Sequence, residues 1–284
     1  MVIAVGGCGA TPTSPPSVQP SEVVARVDGA SLERVRLPDG SVGYLQRIDV
    51  SAMRIDQVLG ERDTTRPADR GSYYPGAESP RFRRITPTAM QNACRSRYGM
   101  KAFSAVNFSF FEEYDDSTRL SFPVQTGSAL VSAGSSPYGP VAAPKHPHYR
   151  TITLKALQWD EHKLGIADYD PATGAPLNRR NFREGLVTYA YADHPSFVLS
   201  KDPANRYQLL GALDDRQLLI LTVEHTTLAQ GADLLRQQGV RGDILTFDGG
   251  VSTFLWSGTA GNLVDVSSKD GALPHYLCVH QVMP

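Results

Sequence analysis

One stretch late in the chain constrains its fold more than any other. Residues 218–223 are almost all apolar and predict a buried strand, residues 227–238 place apolar residues at helical spacing, and residues 244–247 form a second apolar run. A strand, a helix and a strand in this order favour a parallel pair with a right-handed crossover. The pattern therefore predicts an α+β or mixed α/β domain, in which helices pack on a mixed sheet.

The second of these strands leads directly into Asp248, which is followed by Gly249 and Gly250. Glycine lets backbone approach a ligand closely, and ligands of open α/β sheets gather at the carboxyl ends of strands. This placement favours sugar or phosphate chemistry at Asp248. A structural alternative stays open, because Asp-Gly between apolar runs is also typical of a hairpin turn.

Two further polar residues follow predicted strands. Asn107 comes after the apolar residues 102–106, and Glu224 comes after residues 218–223. An asparagine amide can both donate and accept hydrogen bonds to sugar hydroxyls. The structural alternatives are a cap on the turn after the strand for Asn107 and a solvated strand end for Glu224. We expect Asn107, Glu224 and Asp248 to surround one cleft.

Three short motifs carry a resemblance to a known family. They read Asn-Phe-Ser-Phe-Phe at residues 107–111, Arg-Tyr-Gln-Leu-Leu-Gly at residues 206–211 and Asp-Gly-Gly-Val-Ser at residues 248–252. In type and order they resemble the motifs of the phosphodiester glycosidase family. Membership would imply a single domain over residues 21–284 that hydrolyses the sugar C1–O bond of a glycosyl-phosphate diester.

The resemblance also implies roles for particular residues. The catalytic residues that it implies are Asp248, Glu224 and Asn107. The residues that it implies for substrate and phosphate binding are Gly249, Gly250, Ser252 and Arg206. A phosphate monoester leaves as a stable anion with a second pKa of about 6, so a strong general acid is less necessary than in ordinary glycosidases. One carboxylate, preorganised donors and a cation, with a divalent metal ion as one option, would suffice.

The chain also departs from the family pattern. Phe108 and Val251 stand where the family has glycines, and aligning the middle motif on Gly211 brings Tyr207 rather than Arg206 to the arginine position. These departures keep a second function open, a catalytically silent glycan-binding module on the same fold. A third and weaker alternative is a purely structural envelope protein.

Residues 1–20 differ in kind from the rest. The first ten are apolar and rich in glycine, and the next ten are rich in proline, serine and threonine and lack the apolar residues needed to fold. We expect a disordered leader. Val-Gly-Gly-Cys at residues 5–8 resembles a bacterial lipoprotein processing site, in which Cys8 would carry the lipid anchor. The protein is then expected to be exported, either periplasmic, anchored to a membrane by lipid, or extracellular.

Net charge and cysteine content limit which partners the protein binds and whether it forms a disulfide. The formal net charge is -1, so no overall field favours nucleic acid, and we expect a carbohydrate or sugar-phosphate substrate instead. Apart from Cys8, the chain contains Cys94 and Cys278. These two cysteines either form a disulfide or remain free thiols in the core, and the sequence leaves both alternatives open.

Overall fold

The structure is a computed structural model, and it describes residues 21–98, 102–135, 147–177 and 182–281. Strands make up 47% of this part of the chain and helices 15%. The strands and α-helices are β1 (Glu22–Val27), β2 (Ala30–Arg36), β3 (Val42–Asp49), β4 (Met53–Leu59), β5 (Asp69–Arg70), β6 (Glu78–Ser79), β7 (Arg81–Arg83), α1 (Pro87–Tyr98), β8 (Ala102–Asn107), β9 (Ser117–Arg119), β10 (Pro123–Thr126), β11 (Ala129–Ala133), β12 (Leu154–Trp159), β13 (Leu164–Asp168), β14 (Glu184–Ala190), α2 (Pro195–Val198), β15 (Asn205–Ala212), β16 (Gln217–Thr226), α3 (Leu228–Gln237), β17 (Ile244–Phe247), β18 (Leu255–Ser257), β19 (Gly261–Val264) and β20 (His275–Gln281).

Two sheets dominate the described residues. The larger sheet has eleven strands, with the order β1-β2-β3-β16-β15-β17-β14-β10-β11, and β12 pairs with both β14 and β13. The smaller sheet has five strands in the order β19-β18-β8-β20-β4. The pairs β5-β6 and β7-β9 form two short ladders beside them. Every pair with an assigned register is antiparallel.

The two sheets pack face to face around the largest apolar cluster. Alternation along β15 shows the layering, because side chains of consecutive strand residues point to opposite faces. Leu210 belongs to the cluster between the sheets, whereas Leu209 belongs to a second cluster under α3. A further cluster joins α1 to the outer face of the smaller sheet. Each sheet is therefore buried on both faces.

The predicted mixed α/β architecture is wrong. β16, α3 and β17 do form in the predicted order, but β15 lies between the two strands and is antiparallel to both. β16 and β17 therefore run in the same direction without being neighbours. Continuous apolar runs are typical of parallel strands because such strands are covered on both faces. Here the same runs arise because an antiparallel sheet is covered on both faces.

Local predictions fared better than the fold class. Residues 102–107 form the buried strand β8, which ends at Asn107 as predicted. Cys94 on α1 and Cys278 on β20 form a disulfide, which decides between the two alternatives for these cysteines. The predicted leader, with Cys8, lies outside the described residues. Within the described ranges, no helix has the length and apolar character needed to span a membrane.

Candidate functional site

A pocket of about 240 Å³ lies where β17 ends, beside β14, β15 and the start of α2. Its aromatic lining comes from Phe110, Tyr189 and Tyr207. Its polar lining comes from His194, Ser196, Asn205 and Asp248, and the backbone of Gly249 and Gly250 completes the wall. The pocket thus combines apolar surfaces with a few convergent polar groups, which is the usual composition of a small-molecule site.

Asp248 contributes the one carboxyl group of this lining. Its backbone N–H donates to the carbonyl oxygen of Phe108 at 3.0 Å, which ties the strand end to the other sheet. Its Oδ2 atom is buried and has no hydrogen-bond partner among the described residues. Burial raises the pKa of Asp248 to about 7, although hydrogen bonds from Ser252 and the Gly249 N–H lower it. This carboxyl group therefore changes its protonation state near neutral pH.

The glycines after Asp248 are required by the backbone. A Cβ atom on Gly249 would lie 2.8 Å from the carbonyl oxygen of Arg206, and Gly250 has a φ of +59°. The chain does not return as a hairpin at this point. It passes through a short 3₁₀ helix, Gly250–Ser252, and enters β18 of the smaller sheet. Asp248 therefore lies where the chain crosses from one sheet to the other.

Ser252 contacts Asp248 from behind. Its side chain is fully buried, and its hydrogen bond to the carboxyl group holds the pKa of Asp248 down. Its Oγ also lies 2.8 Å from the Oη of Tyr114. Ser252 was predicted to contact phosphate, but it does not line the pocket. Its neighbours in the structure are the carboxyl group of Asp248 and the Tyr114 hydroxyl.

Asn107 lies beneath the site and is 1% exposed. Its Nδ2 donates to the carbonyl oxygen of Asp248 at 2.7 Å, and its Oδ1 accepts from the Phe254 N–H at 2.9 Å and from the Gln208 amide. These bonds join β8, β15 and the segment after Asp248. Because the amide is occupied within the protein, Asn107 holds Asp248 in place and does not face the pocket.

Glu224 and Arg206 form an ion pair away from the pocket lining. The Arg206 Nη2 lies 3.1 Å from the Glu224 Oε1, and the Arg206 Nη1 donates to the carbonyl oxygen of Asp265 at 2.9 Å. The Glu224 side chain is 43% exposed. The structure therefore does not bring Glu224 into the cleft expected for it, and it directs the Arg206 guanidinium to protein partners.

The two departures from the family pattern have different surroundings. Phe108 is 1% exposed and stacks on Phe247 with ring centroids 4.1 Å apart, so it fills the core between the sheets and not the pocket. Val251 is 48% exposed, directly after Gly250. Neither side chain lines the pocket.

His194 is the main residue that sequence reasoning missed. It caps α2, where its Nδ1 accepts from the Ser196 N–H at 3.0 Å, so a neutral ring carries its proton on Nε2. Burial lowers the pKa of His194 to about 4, against a smaller opposing effect of Asp202. His194-Pro195-Ser196 could have been identified as a helix start, because proline is common at the first helical position.

The aromatic rings of the pocket surround this histidine. The centroids of Tyr189, Tyr207 and Phe110 lie 5.6, 5.9 and 6.0 Å from that of His194. Phe110 is in the motif at residues 107–111 and Tyr207 is in the motif at residues 206–211, whereas Tyr189 comes from a strand with no motif of its own. Their convergence depends on the sheet order, which local patterns do not reveal.

The described residues contain no ready-made cation site at Asp248. The one set of three potential ligand atoms within 4.8 Å of one another belongs to Cys94, Cys278 and His280. Both cysteine sulfurs in this set are joined in the disulfide. Among the described residues of the pocket lining, Asp248 is the carboxylate that could contact a divalent cation.

No protein-family model and no curated protein match the chain. Several solved structures do. The catalytic domain of zebrafish N-acetylglucosamine-1-phosphodiester alpha-N-acetylglucosaminidase, auto-inhibited by its pro-peptide, matches with a TM-score of 0.55 and 13% identity, over 96% of this chain and 87% of that one. A hypothetical protein from Synechocystis matches with a TM-score of 0.53 and 12% identity, over 93% and 64% of the two chains.

A third structure, a Burkholderia pseudomallei protein inferred to be exported, has a TM-score of 0.41 and 10% identity, over 88% and 74% of the two chains. At that score it carries no argument. At their low identities the first two structures establish a shared fold and nothing finer. The resemblance read from the motifs is thus supported as a distant structural likeness to a phosphodiester glycosidase domain.

Proposed function

We propose that the protein hydrolyses a sugar linked through its C1–O bond to a phosphodiester, with Asp248 as the reacting carboxyl group. The observation that carries the proposal is the environment of Asp248. A carboxyl group with one buried and unpartnered oxygen, at the wall of a pocket, is costly to fold and is typical of a functional site. The fold shared with a glycosidase domain supports the same reaction class.

The single carboxyl group favours this substrate over an ordinary glycoside. Glycosidases usually need two carboxyl groups, one of which protonates the leaving oxygen. A phosphate monoester needs little protonation to leave. Ionised Asp248 would accept a proton from water as that water attacks C1, and the electrons of the C1–O bond would pass to the phosphate oxygen. A base whose pKa lies near the working pH is suited to this step.

The remaining lining fits a sugar ring. The rings of Tyr189, Tyr207 and Phe110 offer apolar surface to the C–H groups of a pyranose, and the Nε2–H of neutral His194 offers a donor to a hydroxyl or phosphate oxygen. The side chain of Asn205, which also lines the pocket, would supply the amide contact first expected of Asn107. Backbone around Gly249 and Gly250 leaves room for close approach.

One observation favours the alternative of a silent glycan-binding module. Among the residues that the structure describes, no lysine or arginine contributes to the pocket lining, and the Arg206 guanidinium is paired with Glu224. Phosphate charge would therefore be met by a cation from solution or lie toward the pocket mouth. A protein that binds a neutral sugar would have no phosphate charge to neutralise.

Export is part of the proposal, and the disulfide supports it. Disulfides persist in oxidising compartments such as the periplasm and the extracellular space and are rare in the cytosol. A lipid anchor at Cys8 is proposed on the sequence motif alone.

The test is turnover of a panel of glycosyl-phosphate diesters, with and without divalent cations. We expect the Asp248→Asn variant to lose several powers of ten in kcat/KM, because the attacking water loses its base. Asp243→Asn, before the other end of β17, is the matched control and should keep normal turnover. Normal turnover by Asp248→Asn would remove Asp248 from the mechanism. Sugar binding without turnover by the wild type would support the binding module instead.

A further inference from the structure

The hydrogen bonds of His194 leave its ring with a donor and no acceptor for a ligand. The Nδ1 atom accepts from the Ser196 N–H at 3.0 Å, and a backbone N–H can donate only to an unprotonated ring nitrogen. A neutral ring must therefore carry its proton on Nε2. Among the described residues the ring makes no second hydrogen bond, and it lines the pocket. The Nε2–H is therefore the polar group that His194 can offer to a ligand.

The same hydrogen bond opposes a positive charge on the ring. Protonation of Nδ1 would bring two N–H groups face to face and leave the backbone N–H without its acceptor. Burial acts in the same direction and lowers the pKa of His194 to about 4, against a smaller opposing effect of Asp202. The other titratable groups of the pocket lining are Asp248, Tyr189 and Tyr207. The ring is therefore neutral at the pH at which the protein would bind a phosphodiester.

Other polar groups of the lining differ from His194 in what they can offer. The Tyr207 hydroxyl donates to the carbonyl oxygen of Pro203 at 2.9 Å, so only its lone pairs remain for a ligand. Ionised Asp248 also accepts and does not donate. The Oδ1 of Asn205 accepts from the Arg206 N–H at 2.8 Å, which leaves this amide with both donors and one lone pair. The pocket thus holds acceptor-only groups besides the donor-only ring.

We infer that His194 binds the phosphate group of the substrate, through a hydrogen bond from its Nε2–H to a phosphate oxygen. The oxygens of an ionised phosphodiester only accept hydrogen bonds, whereas a sugar hydroxyl both donates and accepts. A donor-only group therefore matches the phosphate, and the acceptors Tyr207 and Asp248 match sugar hydroxyls and the attacking water. The inference rests on the proposed function, and it gives His194 the phosphate contact first expected of Arg206.

His194 would supply a hydrogen bond and not a charge. Because the ring is neutral, the single negative charge of the diester remains to be met by solvent or by a cation from solution. The hydrogen bond replaces a water molecule that a phosphate oxygen loses when it enters the pocket. A hydrogen bond to a charged group changes affinity by about 10- to 100-fold, which is large enough to measure.

The first measurement is a long-range ¹H–¹⁵N NMR spectrum of the histidine rings at neutral pH, with methyl phosphate as the probe of the leaving group. The free protein should show His194 as the neutral form protonated on Nε2. Methyl phosphate should shift the signals of Nε2 and its proton and leave Nδ1 nearly unchanged. A ring protonated on Nδ1 or on both nitrogens would overturn the inference. So would an Nε2 signal that does not respond to methyl phosphate.

The His194→Asn variant separates ligand binding from a purely structural role. Asparagine is a favoured N-cap residue whose Oδ1 can accept from the Ser196 N–H, but it has no group at the position of Nε2. We expect unchanged stability in urea and an affinity for methyl phosphate that is about 10- to 100-fold weaker. The matched control is His225→Asn on the exposed end of β16, which should change neither property. Normal affinity in His194→Asn would overturn the inference.

Further ligands and activity distinguish the remaining outcomes. If His194→Asn weakens the binding of neutral methyl glycosides but not that of methyl phosphate, the ring contacts the sugar and the inference fails. If methyl phosphate binds through His194 but the wild type turns over no diester, the phosphate contact stands and the proposed reaction fails. If turnover depends on Asp248 but kcat/KM is normal in His194→Asn, the reaction stands and the phosphate contact fails.

Discussion

Replacing Asp248 by asparagine should stabilise the folded protein, and increasingly so as the pH rises. Asp248 is half-buried, its buried Oδ2 atom has no hydrogen-bond partner among the described residues, and its pKa is raised to about 7. An amide has nearly the same shape and never ionises. The variant therefore avoids the cost of burying a charge while it keeps the packing of the site.

The size of the effect follows from proton linkage. In the unfolded chain Asp248 has its ordinary pKa of 3.8, and in the folded protein its pKa is about 7. Between these values the folded state holds one proton more, so the free energy of unfolding falls as the pH rises. At about 1.4 kcal/mol per pKa unit, this contribution reaches about 4 kcal/mol above pH 7. Below the unfolded pKa it vanishes.

The assay is urea unfolding of the wild type and Asp248→Asn at several pH values, with the disulfide kept intact. Trp159 and Trp256 are both buried and should report unfolding by fluorescence. Other ionisable groups are common to both proteins, so the difference between their unfolding free energies isolates Asp248. A hydrogen bond lost or gained by the asparagine amide changes this free-energy difference by the same amount at every pH.

The difference in unfolding free energy between Asp248→Asn and the wild type should be constant at acid pH. It should rise between the two pKa values of Asp248 and become constant again above the higher one. The exposed carboxyl group of Asp233 on α3 serves as the control, because its replacement by asparagine should change stability by no more than about 0.5 kcal/mol. A difference between wild type and Asp248→Asn that does not depend on pH would refute the argument that burial raises the pKa of this group.

Two further predictions concern parts of the chain away from the reacting group. Asn107→Ala should lower the free energy of unfolding by roughly 3 kcal/mol or more, because the Phe254 N–H and the Gln208 amide lose their acceptor in the core. Urea unfolding would measure this, with the exposed Asn262→Ala as control, and a loss below about 1 kcal/mol would contradict the positioning role. Cys8→Ala, expressed with its native leader, should move the protein from the membrane fraction to the soluble fraction. Unchanged fractionation of that variant would reject a lipid anchor at Cys8.

The sequence predicted local structure well where the pattern and the packing agree. β8, β16, α3 and β17 form close to the predicted positions, because apolar runs and helical spacing of apolar residues directly reflect which side chains are buried. The order of the strands was not predictable in this way. β15 separates β16 from β17 through hydrogen bonds between backbone groups, which leave no trace in side-chain type.

In the candidate site, too, the residues set by local backbone requirements were predicted, whereas those that depend on strand order or side-chain direction were not. Asp248, Gly249 and Gly250 were identified because backbone requirements at a strand end select aspartate and glycine. Asn107 was identified as a residue near the site, but its hydrogen bonds run inward, and a sequence does not show the direction of a side chain. Glu224 follows an apolar run yet faces solvent, and Tyr189, His194 and Tyr207 converge only through the sheet order.

The position of β20 in the smaller sheet bears on how the chain is made. β20 is the last of the five strands to be synthesised, yet it lies between β8 and β4 and pairs with both. Until it emerges, these two strands have no partner on their facing edges, and such edges are prone to pair with other chains. The sheet can therefore close only after β20 has been synthesised. Until then, the unpaired edges of β8 and β4 leave the unfinished chain prone to aggregation.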